Sequence, residues 1–172
     1  MEDKLIMLAE IAERLHSGNI EFGIGSSMLL YLNGLVDEAR DIDLFINEES
    51  TDKVRALLRH LGEIRLKPGK KLYTSRSFFT LITEKVDVDV IAAFGVRGDG
   101  YIGSISITKE SIERDLVIHG QTIPLMYLED WLELYKLMGR KEKVDILNRY
   151  FKTHCKSPQT GFEQHFVEES DA

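Results

Sequence analysis

Apolar residues recur along this chain with two different periods. Near the start, Leu5, Leu8, Ala12 and Leu15 fall at helical spacing with charged residues between them. This predicts an amphipathic helix over 3–17, stopped at Gly18-Asn19. The period then shortens. Phe22 and Ile24 alternate with other residues and predict a strand over 20–24, and Ser26 or Ser27 can cap a helix that runs to Asn33-Gly34. Ile42, Leu44 and Ile46 alternate with Asp41 and Asp43 and predict a strand over 41–47. Val54, Leu57, Leu58 and Leu61 return to helical spacing over 50–61, and Gly62 ends that run. Strands are expected at 63–67, within 72–83 and at 86–92, with Pro68-Gly69 and Glu84-Lys85 as turns. Gly95, Gly98, Gly100 and Gly103 read as turn residues before a short strand at 104–108. A helical turn over 109–114 and a hairpin pairing 116–118 with 122–124 follow. Leu128, Trp131, Tyr135 and Met138 then mark a helix that Gly139 breaks, and a last helix spans 141–152. The polar stretch from Thr153, with Pro158 and Gly161, predicts a flexible tail or docking segment over 153–172.

These elements give the class α/β, or α+β in finer terms: a mixed sheet with helices packed on it and a C-terminal helical pair. The expected organisation is one domain over 1–152, with a core at about 20–95 and a helical part at about 109–152.

Composition narrows the function classes. A chain of 172 residues with 43% hydrophobic and 30% charged residues fits a soluble domain with a proper core. No apolar run approaches the roughly 20 residues that a membrane helix needs, so no membrane partner is expected. A net charge of −7 disfavours nucleic acid as a partner. Cys155 is the single cysteine, which excludes an internal disulfide and suits a reducing compartment. With Met1-Glu2-Asp3-Lys4 lacking a signal-peptide layout, a cytoplasmic location is the expectation. The five histidines are scattered, and no zinc site is indicated.

The candidate chemistry lies in three short stretches. Gly25-Ser26-Ser27 opens a helix with little bulk, so an oxygen-rich anion can approach backbone N–H groups there. Asp41 and Asp43 point from one face of the next strand. Val86-Asp87-Val88-Asp89 repeats that alternation, so Asp41, Asp43 and one of Asp87 or Asp89 form a three-carboxylate cluster if the strands pair. An anion cradle beside carboxylates is what magnesium-dependent phosphoryl chemistry needs, because hard cations take oxygen ligands.

Gly25-Ser26, a helix, Asp41-Ile42-Asp43-Leu44 and a separate strand with Asp89 resemble the nucleotidyltransferase superfamily typified by DNA polymerase β. The small bacterial members are the most similar: antibiotic nucleotidyltransferases and nucleotidyltransferase-like antitoxins. The resemblance covers roughly residues 20–150. It implies transfer of a nucleoside monophosphate from a triphosphate such as ATP to a hydroxyl of a small molecule or a protein. It also implies two magnesium ions at Asp41, Asp43 and Asp89, all three catalytic. Asp89 is favoured over Asp87 because the matching carboxylate of relatives precedes small or apolar residues, as Val90-Ile91-Ala92-Ala93 do here. Gly25, Ser26 and Ser27 are the implied contacts to the phosphates. Lys136, Arg140 and Lys143 would make a cationic stripe for the triphosphate if their helix were continuous. Lys67, Lys70 and Lys71 read as a solvated hairpin tip that could also reach an acidic acceptor. The rival reading is an interaction module that keeps this fold without transfer, such as an antitoxin with a toxin as its partner.

Overall fold

The computed structural model describes residues 1–98, 100–158 and 161–166. Its first half alternates helices and strands: α1 (Glu2–Ser17), β1 (Phe22–Ile24), α2 (Ser26–Leu32), β2 (Ile42–Ile46), α3 (Thr51–Leu58), β3 (Glu63–Leu66), β4 (Ser77–Ile82) and β5 (Asp87–Ala92). The second half adds β6 (Gly95–Arg97), β7 (Tyr101–Ile105), β8 (Ile112–Ile118), β9 (Gln121–Met126), α4 (Leu128–Leu137), α5 (Lys141–Phe151) and β10 (Phe162–Phe166). The expected mixed sheet with packed helices and a C-terminal helical pair is what forms.

Seven strands make the main sheet in the order β3-β4-β5-β2-β1-β9-β8. Two pairings are parallel, β2 with β5 and β1 with β9, and the others are antiparallel. The central strands show why the alternation was readable. Ile42, Leu44 and Ile46 on β2, and Val88 and Val90 on β5, are all buried in one core with Leu8, Ile11 and Leu15 of α1. Removing each such side chain from water contributes about 1.5–3 kcal/mol, which fixes the register and leaves the opposite face to the aspartates.

The second sheet is small and antiparallel, in the order β10-β7-β6. Of the stretch expected as a flexible tail or docking segment over 153–172, Phe162–Phe166 is a strand here, and 159–160 and 167–172 lie outside the described residues. Phe162–Phe166 pairs along the whole of β7, from Phe162 opposite Ile105 to Phe166 opposite Tyr101. Among the described residues, the backbone N–H of Gly161 donates to Asp130 on α4 at 2.9 Å, and that of Ser157 donates to Glu129, which hold the approach to it. Asp130 is fully buried, so an acceptor the apolar helical pattern had left unnoticed fastens the tail.

Three smaller differences have local causes. The strand expected within 72–83 begins only at Ser77, because 67–76 crosses to β6, where Tyr73 bridges Val96 and the N–H of Thr74 donates to the carbonyl of Gly95. The helical turn expected over 109–114 is one turn, Lys109–Ser111, closed by reciprocal bonds between Thr108 and Ser111. The strand expected at 104–108 lies at Tyr101–Ile105, and its Gly103 is a packing residue as well as a turn neighbour. A Cβ there would come within 2.4 Å of Leu137 on α4 and 2.6 Å of Phe162. Among the described residues, no helix is long and apolar enough to cross a membrane.

Candidate functional site

A cleft of about 430 Å³ opens on the polar face of the central strands. Its polar floor comes from the β2–β5 pairing. Because those strands run parallel with Ile42 beside Val88, Asp43 and Asp89 are direct register partners. The row continues outward, since Asp89 faces Thr80 on β4 and Thr80 faces Arg65 on β3. Asp41, one residue before β2, also lines the cleft and is mostly exposed, with Arg40 at 3.8 Å.

The environment of Asp43 is unusual. Burial pushes its carboxyl up to about 6 from the ordinary 3.8, a hydrogen bond from Ser26 pulls it back, the charges of Asp89 and Asp41 raise it again, and Lys67 lowers it. Asp89 is differently placed. Its Oδ1 accepts from Thr80 Oγ1 at 2.6 Å and from Lys67 Nζ at 2.9 Å, and its Oδ2 accepts from the same ammonium at 3.2 Å. Asp87 sits two residues away, exposed, and is not part of the cleft wall. Among the described residues, no three His, Cys, Asp or Glu side chains are grouped closely enough to hold a metal ion. The expected three-carboxylate cage is therefore not formed as such: Asp41 and Asp43 face the cleft, and Asp89 is engaged by Lys67 and Thr80.

The Gly-Ser corner also differs from expectation. Ser26 and Ser27 line the cleft, but Gly25 does not. A Cβ on Gly25 would lie 2.4 Å from the Trp131 ring, so the glycine is there to admit the indole rather than to leave room for an anion. Overpacking at such a contact costs about 1–3 kcal/mol. Ser26 begins α2 at φ +56°, in the left-handed region that side chains other than glycine seldom adopt. Its hydroxyl is placed against both Asp43 and Tyr135. Burial pushes the Tyr135 phenol up to about 12, with the Ser26 bond lowering it, the Asp43 charge raising it and Arg140 lowering it.

The basic stripe is split. Gly139 adopts φ +69° and separates α4 from α5. Arg140 and Lys143 line the cleft, whereas Lys136 turns outward and pairs with Glu133 at 2.8 Å. Lys70 and Arg40 complete the cationic rim, so the 67–71 stretch is more than a solvated hairpin tip.

One set of residues escaped the sequence reading. Phe45, Phe94, Trp131 and Tyr135 form a chain of rings at the base of the cleft, with centroids 5.0 Å apart for Phe45–Phe94, 5.2 Å for Phe45–Trp131 and 5.3 Å for Trp131–Tyr135. A signal existed: Phe45 continues the 41, 43, 45 alternation and so belongs to the carboxylate face. Two polar atoms of the cleft-lining residues, Ser75 Oγ and Trp131 Nε1, are buried with no protein partner among the described residues.

No protein-family model matches the sequence, and no curated protein matches it. Solved structures do. The chain is similar to a Thermotoga maritima protein assigned as a nucleotidyltransferase, at 21% identity and a TM-score of 0.67, over 90% of this chain and 96% of that one. It is similar to ANT(2'')-Ia in complex with adenylyl-2''-tobramycin, at 16% identity and a TM-score of 0.58, over 87% and 90% of the two chains. It is also similar to the lincosamide antibiotic adenylyltransferase LnuA, lincomycin-bound, at 17% identity and a TM-score of 0.55, over 86% and 96%. The chain thus has the nucleotidyltransferase fold over nearly its whole length.

Proposed function

We propose that this chain is a nucleotidyltransferase that binds a nucleoside triphosphate with magnesium in the cleft and transfers the nucleoside monophosphate to a hydroxyl. The observation that carries the reading is the charge arrangement: Asp41 and a buried, proton-retaining Asp43 face the cleft inside a rim of Arg40, Lys70, Arg140 and Lys143. A carboxylate held at about 6 by burial and by two neighbouring carboxylates is stabilised when a cation arrives. Asp41 and Asp43 supply hard oxygen donors, and magnesium is commonly held by one or two carboxylates together with substrate phosphates. They fit it and would hold it there, where the ion offsets phosphate charge and aligns the transferred phosphorus.

The chain's own groups have distinct tasks in this reading. Arg40, Arg140, Lys70 and Lys143 balance the charge of the triphosphate. The Ser26 and Ser27 hydroxyls contact its terminal phosphates. Asp89 faces the acceptor side, as the resemblance implies. The aromatic base gives the cleft an apolar floor against which a nucleobase or an acceptor ring can pack. The ligands named with ANT(2'')-Ia and LnuA are small antibiotics, which favours a small molecule over a protein as acceptor.

Calorimetric titration of an ATP analogue decides the reading. The parent protein should bind it in magnesium and much more weakly with chelator. Asp43→Asn should bind at least tenfold more weakly, about 1.4 kcal/mol, with an unchanged circular dichroism spectrum. Equal affinity in parent and variant would remove the cation from Asp43.

A further inference from the structure

Lys67 is not a free surface lysine. Its backbone N–H donates to the carbonyl of Phe78 at 2.9 Å, continuing the β3–β4 pairing by one residue. That anchor puts Lys67 two residues beyond Arg65 on the same strand face, the face that carries Thr80, Asp89 and Asp43. The ammonium reaches both oxygens of Asp89 at 2.9 and 3.2 Å and lies 4.9 Å from the centre of the Phe78 ring. Thr80 takes a further lone pair of Asp89 at 2.6 Å. The Asp89 side chain is 20% exposed, so these two donors meet it in a partly dry setting. Asp41 has Arg40 at 3.8 Å, and both of those side chains are exposed.

We propose that the Lys67 ammonium is the resident counter-charge of Asp89, so that the site takes one divalent cation with its nucleotide, at Asp41 and Asp43, and Lys67 stands where an acceptor-side ion would sit. This rests on the nucleotide reading above and revises the two-ion expectation taken from the resemblance. Magnesium gives up its water reluctantly and needs near-octahedral freedom around its ligands. A carboxylate with both oxygens already engaged by a hydroxyl and an anchored ammonium offers little of that freedom. A lysine at this place also carries one charge rather than two, and it cannot leave with the product. The acceptor hydroxyl would then approach a fixed cation that organises Asp89 instead of a second exchangeable ion.

The test counts ions rather than turnover. Manganese is titrated by electron paramagnetic resonance into the full chain saturated with α,β-methylene-ATP. The parent should bind one Mn²⁺ per nucleotide-loaded chain, and Lys67→Arg should also bind one. Lys67→Met should bind two, and Lys67→Met combined with Asp89→Asn should return to one, which ties the added ion to Asp89. Because the Lys67 side chain is 41% exposed, these variants should keep the parent's circular dichroism spectrum. Two ions in the parent, or one in Lys67→Met, overturns the proposal while leaving nucleotide binding intact. Failure of the parent to bind the analogue at all sinks the nucleotide reading, and this inference with it.

Discussion

Asp43 and Asp89 are neighbours in the same register of parallel strands, yet their surroundings are opposite. Around Asp89 the sheet supplies a hydroxyl from β4 and an ammonium from the end of β3. Around Asp43 it supplies a serine hydroxyl, the burial of a closely packed aromatic floor, and two more carboxylates. One carboxylate has been provided for by the fold, and the other has been left wanting. Stability alone would favour giving both the same treatment, since a buried charge short of partners is a cost. The difference therefore separates a group whose charge the fold already balances from one whose charge it leaves largely unbalanced.

The largest effect expected from breaking this contrast is on stability. Asp43 has a native pKa of about 6, above its unfolded value of 3.8. Between those values the folded state holds more protons than the unfolded one, so stability falls as pH rises through that window. Above it, the ionised carboxylate costs on the order of 2–3 kcal/mol, since a tenfold change in proton affinity is worth about 1.36 kcal/mol. Asp43→Asn stays neutral and keeps an acceptor for Ser26. In thermal melts at pH 8 it should be the more stable protein, by roughly 4–10 °C for a chain of this size. The gap should narrow as pH is lowered from 6 to 4. A variant less stable than the parent at pH 8 would mean that Asp43 is already compensated.

The next effect is on ligand affinity, in the parent protein. A proton on Asp43 excludes a cation from it. Magnesium-dependent binding of an ATP analogue should thus hold steady from pH 8 to 7 and drop about tenfold by pH 5, well below a pKa of about 6. The same titration with chelator present should show no such step. A flat profile would detach the carboxylate from the ligand.

The smallest effect sharpens the other side of the comparison. Thr80→Val removes the 2.6 Å hydroxyl bond to Asp89 but leaves Lys67 in place. It should cost about 1 kcal/mol in denaturant unfolding, the usual net worth of one hydrogen bond, because Lys67 still satisfies the Asp89 charge. Nucleotide affinity should not change. A fall in affinity matching that seen on disturbing Asp43 would make the two carboxylates equivalent.

The sheet was legible in the sequence because burial enforced a period of two. Ile42, Leu44, Ile46, Val88 and Val90 had to face one core, so the aspartates between them had to face away together. What could not be read was which side chains meet across the sheet. Nothing in the spacing of Lys67 and Asp89 reveals an ion pair spanning 22 positions, because it depends on three strands aligning. The same holds for Gly25, whose companion is Trp131, more than a hundred residues later. Arg140 and Lys136 differ only by the turn at Gly139, which points one into the cleft and leaves the other on a solvated face with Glu133. The tail strand was hidden for a different reason. Phe162–Phe166 is exposed over four of its five residues, so its hold lies in backbone pairing that composition does not report.

The pairing of Ile24 with Leu125 has a kinetic meaning. Bringing together strands this far apart in sequence closes a loop of about 100 residues, at an entropic penalty near 4 kcal/mol before any contact repays it. Topologies dominated by such distant pairings fold slowly. The wall formed by α4 lies beyond β9 in the chain, so it leaves the ribosome after every strand of the main sheet. A ribosome-bound chain that has not yet released residue 137 therefore has the carboxylate strands but no Trp131 or Tyr135 wall, and the cleft waits for that helix to emerge.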